Sequence, residues 1–110
     1  MISIVVASAV SLLFLQGAVN APRQSLISCL KQAAETAKAQ KIAAAQYGDF
    51  AKQNCGAHAE KFKNALISFD MKNGVGKRQA SADAQVQVDD FFTMSAEKYE
   101  YRTKTADAAE

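Results

Sequence analysis

The sequence predicts an all-α fold, a small three-helix antiparallel bundle with a long central helix, preceded by an N-terminal signal helix. Three observations carry that expectation. From Arg23 onward Ala, Gln, Lys and Glu dominate, and these are good helix formers. Apolar residues in that region recur at steps of three and four. After the expected signal, strong breakers are confined to Pro22, Gly48, Gly56 and the pair Gly74 and Gly76.

The first 22 residues, Met1 to Pro22, carry no charged side chain, and Ile4 to Leu15 is almost wholly apolar. A short apolar run followed by small residues and then a polar domain is the pattern of an export signal. Residues 1–21 are therefore expected to be a signal peptide, cleaved between Ala18 and Ala21. Val19-Asn20-Ala21 meets the small-residue requirement but leaves Pro22 after the cut, whereas Gln16-Gly17-Ala18 avoids that proline. The alternative is an uncleaved membrane anchor, because Ile2 to Ala21 has about the length of a bilayer-spanning helix. Gln16, Gly17 and Asn20 weaken the last third of such a span, and Arg23 and Lys31 behind it would hold the domain on the cytoplasmic side. Leu26-Ile27-Ser28-Cys29 matches a lipoprotein box, in which Cys29 would be acylated, but Asn20, Pro22, Arg23 and Gln24 separate it from the apolar stretch. A Leu-Ile-Ser-Cys run in the first turn of an amphipathic helix accounts for it more simply.

Residues 22–110 then form a single helical domain, since roughly 90 residues support one core and no more. Helix one is expected at about 25–40, starting near Ser25, with Leu26, Leu30, Ala33 and Ala37 on one stripe and Cys29 beside it. Helix two, at about 43–72, carries Ala44, Gly48, Ala51, Cys55, Ala59, Phe62, Leu66 and Phe69 as its stripe. Gly48 sits on that stripe, where a glycine permits close helix approach without stopping the helix. Asn73-Gly74-Val75-Gly76 is a turn, with Asn73 or Gly74 free to take the left-handed cap conformation. Helix three, at about 79–103 with Ser81 as N-cap, has the stripe Ala84, Val88, Phe91, Ser95 and Tyr99, flanked by Phe92. Ala80 to Val88 also alternates with period two, but a lone strand would have no partner. Beyond Thr103 the apolar positions stop and the end is expected to fray.

The two cysteines set the register. Exported proteins with an even cysteine count form disulfides, and a Cys29 to Cys55 bridge places the first turn at Gln40 to Ala43. With that register the small residues Ala33 and Ala51 face each other. A turn at Gly48 would instead separate the cysteines by about 18 Å along the helix axes. Helix three, folded back at Gly74 to Gly76, sets Phe62 against Val88 and Leu66 against Ala84. Helix one covers only the first half of helix two, which leaves Leu66 and Phe69 at a two-helix end.

Charge and motifs narrow the function. Thirteen Lys plus Arg against eleven Asp plus Glu, interleaved, give +2, which is no case for nucleic acid. Membrane contact is expected only through the N-terminal segment if it is retained. Cys55 and His58 with Cys29 would supply three zinc ligands, but no fourth is evident, so no metal is expected. His58 and Met94 are a conceivable haem ligand pair without any attachment motif, so no cofactor is expected. Asp89 and Asp90 point about 100° apart on a helix and do not form an acid/base pair. With one histidine, no nucleophile motif and no phosphate loop at Gly76-Lys77, the chain is not expected to be an enzyme. The expectation is a small exported, periplasmic or extracellular, disulfide-stapled protein that binds an unidentified protein partner or itself. Its candidate interaction surface is Phe69 with Lys72, Lys77 and Arg78. The alternative is a ligand or cofactor carrier using the cleft near Phe62, Leu66, Phe69 and His58.

Overall fold

The computed structural model describes the backbone of residues 2–109 and the side chains of residues 17–105. Three helices follow in order: α1 Ile2–Ala39, α2 Ala44–Lys72 and α3 Lys77–Ala109. Among the described residues there is no strand, so the period-two stretch of residues 80–88 is helix, with Ala80, Ala84 and Val88 buried at four-residue steps. The side chains of the apolar run before Gln16, on which the export expectation rests, lie outside the described residues. Within those described, no helix is long and apolar enough to cross a membrane.

α1 does not begin near Ser25. It runs unbroken through Pro22, which lies inside it. A mid-helix proline forfeits one ladder hydrogen bond and crowds the carbonyl four residues back, at a cost of about 3 kcal/mol. That carbonyl belongs to Ala18, which is exposed and open to water. Burial of Val19 and Leu26 on either side of the proline offsets the cost, because both join the core. Ser81 likewise lies inside α3, not at its start, and α3 remains helical to Ala109.

The first turn falls at Gln40 to Ala43, where the cysteine register placed it, and both turns share one cap geometry. The Ile42 amide donates to the Ala37 carbonyl at 2.9 Å and the Lys41 amide to Lys38 at 3.1 Å. At the second turn Val75 donates to Asp70 at 2.9 Å and Gly74 to Met71 at 3.1 Å. This is the Schellman arrangement, which needs a left-handed residue after the helix. Gly74 supplies it with φ 91°, and Lys41 supplies it with φ 57° despite its side chain.

The core is one cluster in which α2 is central. Tyr47, Ala51, Cys55 and Phe62 are fully buried between Leu26, Leu30, Ala33 and Ala37 of α1 and Ala84, Val88, Phe92 and Tyr99 of α3. α2 packs extensively against both neighbours, while α1 and α3 touch each other sparsely. Phe92 is buried and Phe91 half-buried, the reverse of their expected ranking. Tyr47, not Gly48, is the buried residue at its level of α2. A methyl group on Gly48 would meet nothing within 4 Å, so this glycine serves no close approach.

Candidate functional site

Cys29 and Cys55 form a disulfide, with Cα atoms 5.8 Å apart. That spacing is within the range a bridge accepts without backbone movement. It pins the middle of α1 to the middle of α2. A disulfide sulfur is no thiolate, so Cys55 cannot serve as an anionic ligand beside His58. Among the described residues no three His, Cys, Asp or Glu side chains converge on a metal position. His58 is half-buried and lines a shallow groove with Ser25, Ser28 and Cys29, whereas Met94 lines a different groove between α1 and α3. The conceivable haem pair is thus split between two faces. Asp89 and Asp90 are both exposed, and Asp89 accepts a hydrogen bond from Gln85 at 2.8 Å.

Above the disulfide, where the three helices meet, two tyrosines build a polar lock. The rings of Tyr47 and Tyr99 stack with centroids 4.3 Å apart and planes inclined by 11°. The Tyr47 hydroxyl lies 2.6 Å from Ser95 Oγ and 3.5 Å from the Leu30 carbonyl, and the Tyr99 hydroxyl donates to the Ile42 carbonyl. No buried side-chain N or O among the described residues lacks a partner. Burial, and then the nearby Tyr47 hydroxyl, raises the Tyr99 pKa above its ordinary 10.0.

At the other end, the extension of α1 changes what surrounds Phe69. Val19, Asn20 and Arg23 approach Leu66 and Phe69 around a cavity of about 360 Å³, so this end is a three-helix end and not a two-helix one. Arg23 is 5.5 Å from the centre of the Phe62 ring, and its guanidinium donates to Asn20 Oδ1 at 2.8 Å. The opposite contact of Phe62 is edge-to-face with Phe91, centroids 5.4 Å apart. Phe69 is half-buried, while Lys72, Lys77 and Arg78 around the glycine turn are exposed. Lys77 opens α3 with no acidic residue in its first turn, and Asp70 in the last turn of α2 is the carboxylate nearest in sequence to Lys72. His58 does not line this cavity, which separates it from the carrier cleft expected near Phe62, Leu66 and Phe69.

Two further features escaped the sequence. Because α1 and α3 both pack on α2 and scarcely on each other, a groove of about 220 Å³ runs between them, lined by Ile27, Leu30, Ala34, Phe91, Met94 and Tyr99. It opens toward the first turn into a wider cleft of about 710 Å³ with Lys38, Lys41, Arg102 and Lys104 on its walls. Stripe periodicity identifies the face of each helix that meets α2. It gives no measure of how far two outer helices lie from each other. The half-apolar positions Ile27, Phe91 and Met94, just off the main stripes, were the available signal.

The fold and site therefore define a disulfide-linked three-helix all-α bundle with an open groove between its outer helices. In comparison with known proteins, the chain matches no family model, no curated protein and no solved structure.

Proposed function

We propose that this chain is a small exported helical binding module, an antiparallel bundle stapled by Cys29 and Cys55, that acts through its surface without catalysis. The observation that carries this reading is the apolar surface left beside α2. Phe69 is only half-buried beside the exposed cations Lys72, Lys77 and Arg78, and Ile27, Phe91 and Met94 remain open between α1 and α3. Apolar area bordered by charge is the signature of a contact surface. The uncharged segment before Arg23 supports export, and a disulfide is compatible with an oxidising compartment.

Native mass spectrometry of the protein recovered from the cells that make it tests the reading directly. The expected species begins between Val19 and Pro22, carries the disulfide, and holds a bound protein or a second copy. An intact Met1 terminus with two free thiols and nothing bound overturns it. Phe69→Ser is expected to weaken association more than folding. If it unfolds the bundle and leaves association unchanged in the folded fraction, Phe69 is core and the contact surface lies elsewhere.

A further inference from the structure

We infer that the groove between α1 and α3 is the docking surface for one amphipathic helix of a partner protein, with carboxylates along both of its flanks. The inference deepens the binding-module reading and rests on it. The floor of the groove is apolar and half-open: Ile27 and Ala34 come from α1, Phe91 and Met94 from α3, and Met94 is 54% exposed. Two helices packed on a third leave a furrow into which a fourth fits by ordinary ridge-and-groove packing, completing a four-helix arrangement. From Ile27 to Lys38 the wall extends for about 16 Å, three turns of a docked helix.

The charges select the occupant. Lys31 and Lys98 border the floor, Arg102 lies between floor and cleft, and Lys38 continues the row into the cleft. Two carboxylates share these walls, Glu35 at 3.8 Å from Arg102 and Glu100 at 2.9 Å from Lys104, and all four side chains are largely exposed, so water screens both pairs and a partner can replace them. Asp90 and Glu97 lie about 40–60° farther round α3 than Met94, outside the lining. Lys31 and Lys38 are two turns apart on one wall, and Lys98 and Arg102 one turn apart on the other. Cations repeated at helical intervals along both walls match a helix with a carboxylate on each turn. A fatty acid offers one carboxylate at one end and leaves most of them unmatched. A second copy is a poor occupant, since groove-to-groove pairing about a two-fold axis would bring the same lysines together.

The test uses a labelled amphipathic helical peptide of about 18 residues, with a leucine stripe flanked by glutamates, and its counterpart with lysines in place of the glutamates. Binding to the full chain is followed by fluorescence polarisation at physiological ionic strength, with sedimentation of the chain alone and oleate as a competitor. The acidic peptide is expected to bind at least about tenfold tighter than the basic one. The double variant Lys31→Glu with Lys98→Glu should invert that preference, and Met94→Ser should weaken the acidic peptide about fivefold or more with an unchanged melting curve. Equal affinity for the two peptides, binding indifferent to all three substitutions, a dimer dispersed by Met94→Ser, or oleate binding that excludes the acidic peptide would each overturn the proposal. If no peptide binds while the cell-derived protein still carries a partner in its native mass spectrum, the groove assignment fails and the binding-module reading stands.

Discussion

Tyr47 and Tyr99 lie ring on ring, 4.3 Å between centroids, with their hydroxyls anchored in different places. Tyr47 reaches Ser95 of α3 and the Leu30 carbonyl of α1, while Tyr99 reaches the Ile42 carbonyl in the first turn. A single aromatic pair thus ties all three helices and one connection together at the end of the bundle opposite Phe69.

Tyr99→Phe keeps the stack and removes one partly buried hydrogen bond, so it should cost about 1 kcal/mol by urea denaturation. Combined with Tyr47→Phe in a double-mutant cycle it should show a coupling energy of about 0.5 kcal/mol or more, because the two rings share one site. The same residue gives a pH dependence. Its pKa is raised in the folded state, so the folded chain holds that proton more tightly than the unfolded chain does. The resulting stability is complete below pH 10 and lost as pH rises through the raised value. Tyr99→Phe should flatten that alkaline decline in a series of melting curves, and an unaltered decline would show that other groups govern it.

Lys41 holds the left-handed position of a Schellman cap that the second turn gives to Gly74. A side chain there costs about 1–2 kcal/mol, and glycine's extra freedom in the unfolded chain returns part of that. Lys41→Gly should therefore stabilise the bundle by roughly 0.5–1 kcal/mol. A fall in the urea midpoint would mean that the Lys41 side chain contributes contacts outweighing its backbone strain.

Reduction of Cys29–Cys55 should cost roughly 3–4 kcal/mol, the chain-entropy value for a loop of this size. α1 should loosen first, because Ala33 and Ala37 are small members of its stripe, while α2 and α3 keep Phe62 edge-on to Phe91 and Tyr47 on Tyr99. Hydrogen exchange of the reduced protein should show α1 amides losing protection before those of α2. Uniform loss across the three helices would instead make the bundle one cooperative unit.

If the chain is cleaved as proposed, the position of the cut bears on folding, because the core reaches into the proposed window. Val19 is 6% exposed and Asn20 orients the Arg23 guanidinium beside the Phe62 ring. A chain beginning at Val19 keeps both residues, and one beginning at Pro22 loses them. The shorter chain should be less stable by about 1–2 kcal/mol, from one lost valine contact and a less ordered cation over the ring. Equal urea midpoints for the two chains would show that Val19 adds nothing to the core.

The sequence by itself determined the helical class, the turns and the disulfide. Each follows from short-range rules: alanine-rich stripes at steps of three and four, Gly74 as a left-handed cap, and a register in which Cys29 can meet Cys55 only if the chain turns near Lys41. It also identified Leu26, Leu30, Ala51, Phe62, Leu66 and Val88 as core, all of which are buried. Only the tertiary structure decided the rest. Local preference makes Pro22 a boundary, but Val19 and Leu26 gain burial on the core by continuing the helix through it. Whether Phe69 is bare therefore depends on contacts some 50 residues distant in the chain. The lock of Tyr47 with Tyr99, and the groove between α1 and α3, depend on the angles at which helices cross, which no periodicity along a single helix encodes.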